Sequence, residues 1–212
     1  MNPERFYERV TAACALPPAE RHTRLSKLHA QVLAAYLAAV QDITAQQAAQ
    51  PAADGRTVQQ VVGHIAEWER FGILSAGDIL AGLAHPRMIT SLDGFLQSDG
   101  QPLAFAGIDA FNHYAAGCHA ARSQMPDDLA GTWAETQALA LDTALTLNAL
   151  FSQPDLLTAG RLEKTLPFRK RLQNGAVIRG IAMGWNLWLT MLEHEAVEHA
   201  ADLRLPEDNG EL

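Results

Sequence analysis

The chain has 212 residues, 48% of them hydrophobic, and a formal net charge of -8, which suits one packed domain and leaves too little for two. Its longest Lys/Arg run is Arg169-Lys170-Arg171, so the basic footprint of a nucleic-acid binder is missing, and no apolar run approaches the roughly 18 residues of a membrane span. Two cysteines, Cys14 and Cys118, cannot build a disulfide framework or a Cys-type zinc site, and Met1 to Arg5 lacks the apolar core of a signal peptide.

The expectation is a soluble, cytoplasmic, single domain over 1–212, with 1–17 as an N-terminal extension and 204–212 as a mobile acidic tail. Its 37 alanines point to helix, because alanine is the best helix former and a poor strand former. A short amphipathic piece spans Pro3 to Cys14, set off by Pro17-Pro18. A long helix then runs from Pro18 to about Gln50, with Leu25, Leu28, Val32, Tyr36, Val40 and Ile43 recurring every three or four residues. Thr57-Val58-Gln59-Gln60 fits a capping box, opening a second helix whose apolar stripe is Val58, Val61, Val62, Ile65, Trp68 and Phe71.

Residues 85–104 read as a long loop, of the kind that often borders a site. A third helical region covers 105–124, breaks at Met125-Pro126, and resumes to about Phe151, with Thr132-Trp133-Ala134-Glu135 as a further capping box. Residues 153–175 form a connection in which Leu162 to Phe168 can be extended and Asn174-Gly175 turns. In the last helix Ile178, Ile181, Trp185, Trp188, Leu192, Glu195 and His199 follow a heptad seam. Four long helices with two long connections describe an all-α four-helix bundle.

Such bundles house metals on inward-facing side chains, so the polar residues that interrupt the apolar stripes carry the interest. His64 lies between Val61 and Trp68 on the buried face of the second helix. Glu195 and His199 continue the last seam, about 40° apart on an ideal helix, and can converge on one point. Imidazole and carboxylate suit Zn, Ni, Fe or Mn, and three ligands leave positions open for water or substrate. His194 stands about 140° from His199 and joins it only if a π-bulge intervenes. Glu67 and Glu198 are candidates for an outer-shell or base role, set against the simpler reading of surface carboxylates. His22 and His29 are expected on a solvated face, His85, His113 and His119 as structural or surface residues, and Trp185 and Trp188 in the core.

The segments Gly55 to Trp68, with the cap at Thr57 and His64, and Leu192 to Leu203, with His194-Glu195-Ala196-Val197-Glu198-His199, resemble the DinB/YfiT-like superfamily of metal-dependent bacterial proteins. The resemblance implies an up-down-down-up bundle, often dimeric, with a divalent metal, usually Zn or Ni, held by three histidines. Its members include thiol-dependent S-transferases and a mycothiol-dependent isomerase. His64 matches the first ligand and His199 the last of a His-x3-His pair. At the middle position the chain departs: Glu195 has the spacing, His194 the residue type. The seam favours Glu195; a helix bulge recovering His194 and a degenerate site are the alternatives. The function expected is that of a metal-dependent enzyme, a transferase, isomerase or hydrolase acting on a small molecule that enters past the 85–104 loop. The rival is a non-catalytic bundle serving dimerisation or small-ligand binding.

Overall fold

The computed structural model describes residues 2–53, 55–84, 86 and 131–203. The expectations for the 85–104 loop, the 105–124 helix, His85, His113, His119, Cys118 and the acidic tail lie outside these residues. Helix α1 spans Pro3–Cys14, α2 Pro18–Asp42, α3 Ala45–Ala48, α4 Val58–Leu80, α5 Trp133–Ser152 and α6 Ala159–Glu163. Strands β1 (Pro167–Arg171) and β2 (Val177–Ala182) follow, then α7 (Met183–Glu193), which runs into a π turn at His194–Glu198. The protein is therefore mostly helical rather than all-α.

Local chemistry sets most of these bounds. In α4 the Thr57 hydroxyl accepts from Gln60 N (3.2 Å) while the Gln60 side chain accepts from Thr57 N (2.7 Å), so two otherwise unpaired donors are satisfied reciprocally. Thr132 and Glu135 do the same for α5. The Pro18-to-Gln50 helix is shorter than its periodicity predicts. Ile43 adopts extended backbone, and Thr44 with Gln47 forms a competing capping box that starts α3.

The last helix is also shorter than its seam, because Ile178 and Ile181 belong to a strand. Their β-branched side chains fit an antiparallel ribbon, in which Phe168 faces Ile181 and Lys170 faces Ile178. Gly175, at φ 87°, makes the turn. Helix α7 starts only at Met183, with its first donors satisfied from the preceding connection: Met183 N bonds Leu166 O (2.8 Å) and Gly184 N bonds Thr165 Oγ1 (2.8 Å). A β-carbon on Gly184 would stand 3.0 Å from Leu162 Cα, so this close entry needs glycine.

The four long helices α2, α4, α5 and α7 pack together, α4 against α5 and α7, and α2 against α5 and the π turn. One apolar cluster joins Phe6, Tyr7 and Val10 of α1 to Leu25, Phe151, Trp185 and Trp188. There the rings of Trp185 and Trp188 stack at 6.1 Å and Phe151 stacks on Trp188 at 5.1 Å. A second gathers Tyr36, Val40, Val61, Val62, Ile65, Ala140 and Ala144. Each fully buried large side chain contributes roughly 1.5–3 kcal/mol. The alanines let the helices approach closely, as does Gly72, where an added β-carbon would meet Met191 Sδ at 2.8 Å.

The solvated face expected for His22 and His29 is covered, because α1, α5, α6 and the π turn all pack on α2. His22 Nε2 lies 3.0 Å from Leu157 O, and His29 is wholly buried, with Nδ1 accepting from Trp188 Nε1 at 3.1 Å. Among the described residues no helix is long and apolar enough to cross a membrane.

Candidate metal centre

Two segments build the site. His64 sits two turns into α4, on the face that also buries Val61, Ile65 and Trp68. The other two residues come from the far end of the final helix, where the backbone widens into the π turn. That turn closes the five-residue interval between His194 and His199, which an ideal helix would splay by about 140°. One ring nitrogen from each of His64, His194 and His199 lies within 4.8 Å of the others. The ring centroids are 5.0–5.3 Å apart, and the three residues are 5%, 5% and 8% exposed.

The preference for Glu195 is thereby corrected. The π turn brings His194 to the cluster and directs Glu195, which is 1% exposed, towards His29 on α2, with Glu195 Oε2 3.7 Å from His29 Nε2. The seam that carried the preference assumed an unbroken helix.

Carboxylates hold two of the rings from behind. His194 Nδ1 is 2.5 Å from Glu198 Oε2, and His199 Nδ1 is 3.1 Å from Asp202 Oδ2. Each carboxylate is itself anchored. Asp202 Oδ1 accepts from Ala53 N (2.8 Å), in the loop before α4, while Glu198 accepts from the Gln173 side chain at the tip of the β ribbon. The ribbon also grips the residue before the turn: Lys170 Nζ pairs with Glu193 Oε2 at 2.7 Å, and Gln173 N donates to Glu193 Oε1 at 2.6 Å.

An Nδ1 proton given to a carboxylate leaves the Nε2 lone pair facing inward, the tautomer that a metal ligand needs. Burial, then the neighbouring His194, holds His199 below the usual histidine range and outweighs the opposing pull of Asp202. Burial pushes the Glu198 carboxyl up, but its hydrogen bond to His194 and the adjacent positive charges prevail and hold it below the usual range.

Of the two outer candidates, Glu198 thus touches a ring of the cluster. Glu67 is also buried, contrary to the surface reading, but both its oxygens are taken by Arg70 (3.1 and 2.9 Å). Asp202 is a site residue that the sequence reading did not single out, although it stands only three residues after His199.

The fit of a cation can be judged from the atoms themselves. His194 Nε2 is buried and has no hydrogen-bond partner. Three imidazole nitrogens converging in a site with little access to water form a donor set that one cation could satisfy together. Comparison of the chain with protein-family models, with curated proteins and with solved structures gave no match.

Proposed function

We propose that the protein is a divalent-metal-binding helical bundle of the DinB/YfiT-like kind, with up-down-down-up topology, and that it is a metal-dependent enzyme acting on a small molecule. The observation that carries this reading is the convergence of His64, His194 and His199 with carboxylates behind two of the rings. His64, His194 and His199 would hold the ion. An all-imidazole donor set suits Zn or Ni better than Mg or Ca, which take oxygen ligands. The metal would supply Lewis acidity, polarising a substrate group or lowering the pKa of a bound water or thiol.

The chain's own residues do the rest. Glu198 and Asp202 fix the tautomers of His194 and His199 and keep their Nε2 atoms aimed inward. Trp68, whose ring is 5.3 Å from that of His194 and 6.4 Å from that of His64, walls the cluster with apolar surface and excludes water on that side. Glu198, with about a quarter of its side chain exposed, could exchange a proton with the His194 ring that it braces.

The decisive measurement is elemental analysis of protein purified without a metal-affinity tag. Near-stoichiometric Zn or Ni that is lost in both His64→Ala and His194→Gln, and kept in Glu195→Gln, supports the reading. Protein that stays metal-free when offered Zn or Ni sinks it, and loss in Glu195→Gln without loss in His194→Gln would return the middle ligand to Glu195.

A further inference from the structure

The widened turn at the end of the last helix brings two pairs of residues into phase at once. Glu193 and Glu198 stand five residues apart, as His194 and His199 do, and an ideal helix would splay either pair by about 140°. A π turn closes over five residues, so each pair comes to one side. The histidines meet at the cluster. The glutamates meet at the ribbon, and there one residue takes hold of both.

That residue is Gln173. Its backbone N–H donates to Glu193 Oε1 at 2.6 Å, and its side-chain amide donates to Glu198 Oε1. The other oxygens are also answered: Glu193 Oε2 pairs with Lys170 Nζ at 2.7 Å, and Glu198 Oε2 lies 2.5 Å from His194 Nδ1. Lys170 Nζ donates as well to Thr190 Oγ1 (3.0 Å), one turn earlier on α7. The ribbon tip that carries Gln173 is itself a closed turn. Leu172 N bonds Ala176 O and Gly175 N bonds Leu172 O, both at 2.9 Å, while Asn174 Oδ1 accepts from Ala176 N at 3.0 Å. Leu172, 1% exposed, pins the tip to the larger apolar cluster, whereas Gln173 is exposed and fills no part of the core.

We propose that Gln173 is a positioning residue that staples the π turn, holding Glu193 and Glu198 in phase and, with them, His194 and His199. A regular helix would turn one of the two carboxylates away from the ribbon tip, so the pair of bonds favours the widened turn over the straight one. Whatever favours that turn favours the conformation that a metal at the cluster requires, and the staple raises affinity without touching the ion. Only this last step rests on the metal reading; the stapling of the turn does not.

The experiment removes the amide and leaves the backbone bond in place. In Gln173→Leu the backbone N–H still holds Glu193 while Glu198 is released, and Gln173→Lys restores a donor. Zn2+ affinity, measured by competition with a chromophoric chelator, falls several-fold in Gln173→Leu, less than the roughly ten- to hundredfold of an outer-shell change. It returns towards wild type in Gln173→Lys. The turn is read separately in metal-free protein, from nuclear Overhauser contacts between the rings of His194 and His199, whose centroids are 5.0 Å apart. These contacts are present in wild type and Gln173→Lys and weakened in Gln173→Leu. Ring contacts unchanged in Gln173→Leu overturn the proposal, as does Zn2+ affinity unchanged in a protein that binds Zn2+. A Gln173→Lys protein that behaves like Gln173→Leu also overturns it, by tracing the effect to packing rather than to the donor. Wild type that takes up no Zn2+ defeats the metal reading alone, because the ring contacts still decide the staple.

Discussion

The histidine cluster and the two buried carboxylates Glu69 and Glu195 draw on the same two segments, α4 and the π turn, yet their surroundings differ. Around His194 and His199 each ring is braced by a carboxylate, and each carboxylate is braced in turn by the ribbon or by the loop before α4. Around Glu69 and Glu195 the acceptors outnumber the donors, and the one histidine present has its proton fixed by Trp188. Rings whose outer nitrogens are already hydrogen-bonded, as those of His194 and His199 are, need not reorient when an ion arrives. Burial and the charge of Glu195 make Glu69 costly to ionise, so that carboxyl holds its proton well above the usual range. The lesson is that burial alone does not define a site; the direction of each donor does.

The contrast can be broken most sharply at its nitrogen end. His64→Ala should lower Zn2+ affinity by more than the ten- to hundredfold typical of outer-shell changes, as read by competition with a chromophoric chelator. Asp202→Asn should fall within that ten- to hundredfold range. An Asp202→Asn protein binding as tightly as wild type would show that the brace is ornamental.

Gly72→Ala, which drives a β-carbon into Met191 and Leu147 at the α4–α7 crossing, should cost roughly 1–3 kcal/mol in chemical denaturation. It should weaken both regions together, since α4 carries a residue of each.

At the carboxylate end the test is pH. Glu69 holds its proton more tightly in the folded than in the unfolded chain, so its contribution to stability is complete below the ordinary carboxylate value of 4.5 and is lost as pH rises towards the raised value. In metal-free protein, Glu69→Gln should therefore gain stability relative to wild type as pH rises from about 4 to about 8, with a slope of at most about 1.4 kcal/mol per pH unit. A difference that stays constant across that range would mean that Glu69 is not held protonated. The smallest effect is expected from Thr57→Ala, about 1 kcal/mol from the lost cap, with Zn2+ binding hardly changed.

Much of this was legible in the sequence because it is locally determined. The caps at Thr57 and Thr132 involve partners three residues away, and the structure has both. His64 and His199 interrupt apolar stripes, and stripes survive whatever the helices pack against. The residues that misled are those whose surroundings come from afar. His29 stands on the stripe of Leu25, Val32 and Tyr36, so its burial was open to a closer reading of the spacing, but its partner Trp188 is 159 residues away and was not. Ile178 and Ile181 extended the seam of the last helix on paper, but strand pairing with Pro167–Arg171 claimed them. The choice between His194 and Glu195 turned on a widened turn whose supports, Lys170 and Gln173, belong to the ribbon.

That widened turn makes chain length, rather than residue identity, the specification of the third ring. An inserted residue rotates everything after it in a helix by about 100°, which is ruinous in mid-helix. Here the chain leaves helical geometry at His199, with φ -116° and ψ 14°, so the rotation has almost nothing left to misplace. Deleting Ala196 would leave a His-x3-His spacing, which a regular helix holds on one face. The turn absorbs the extra residue at the point where the helix is ending, and it places Glu195 in the core.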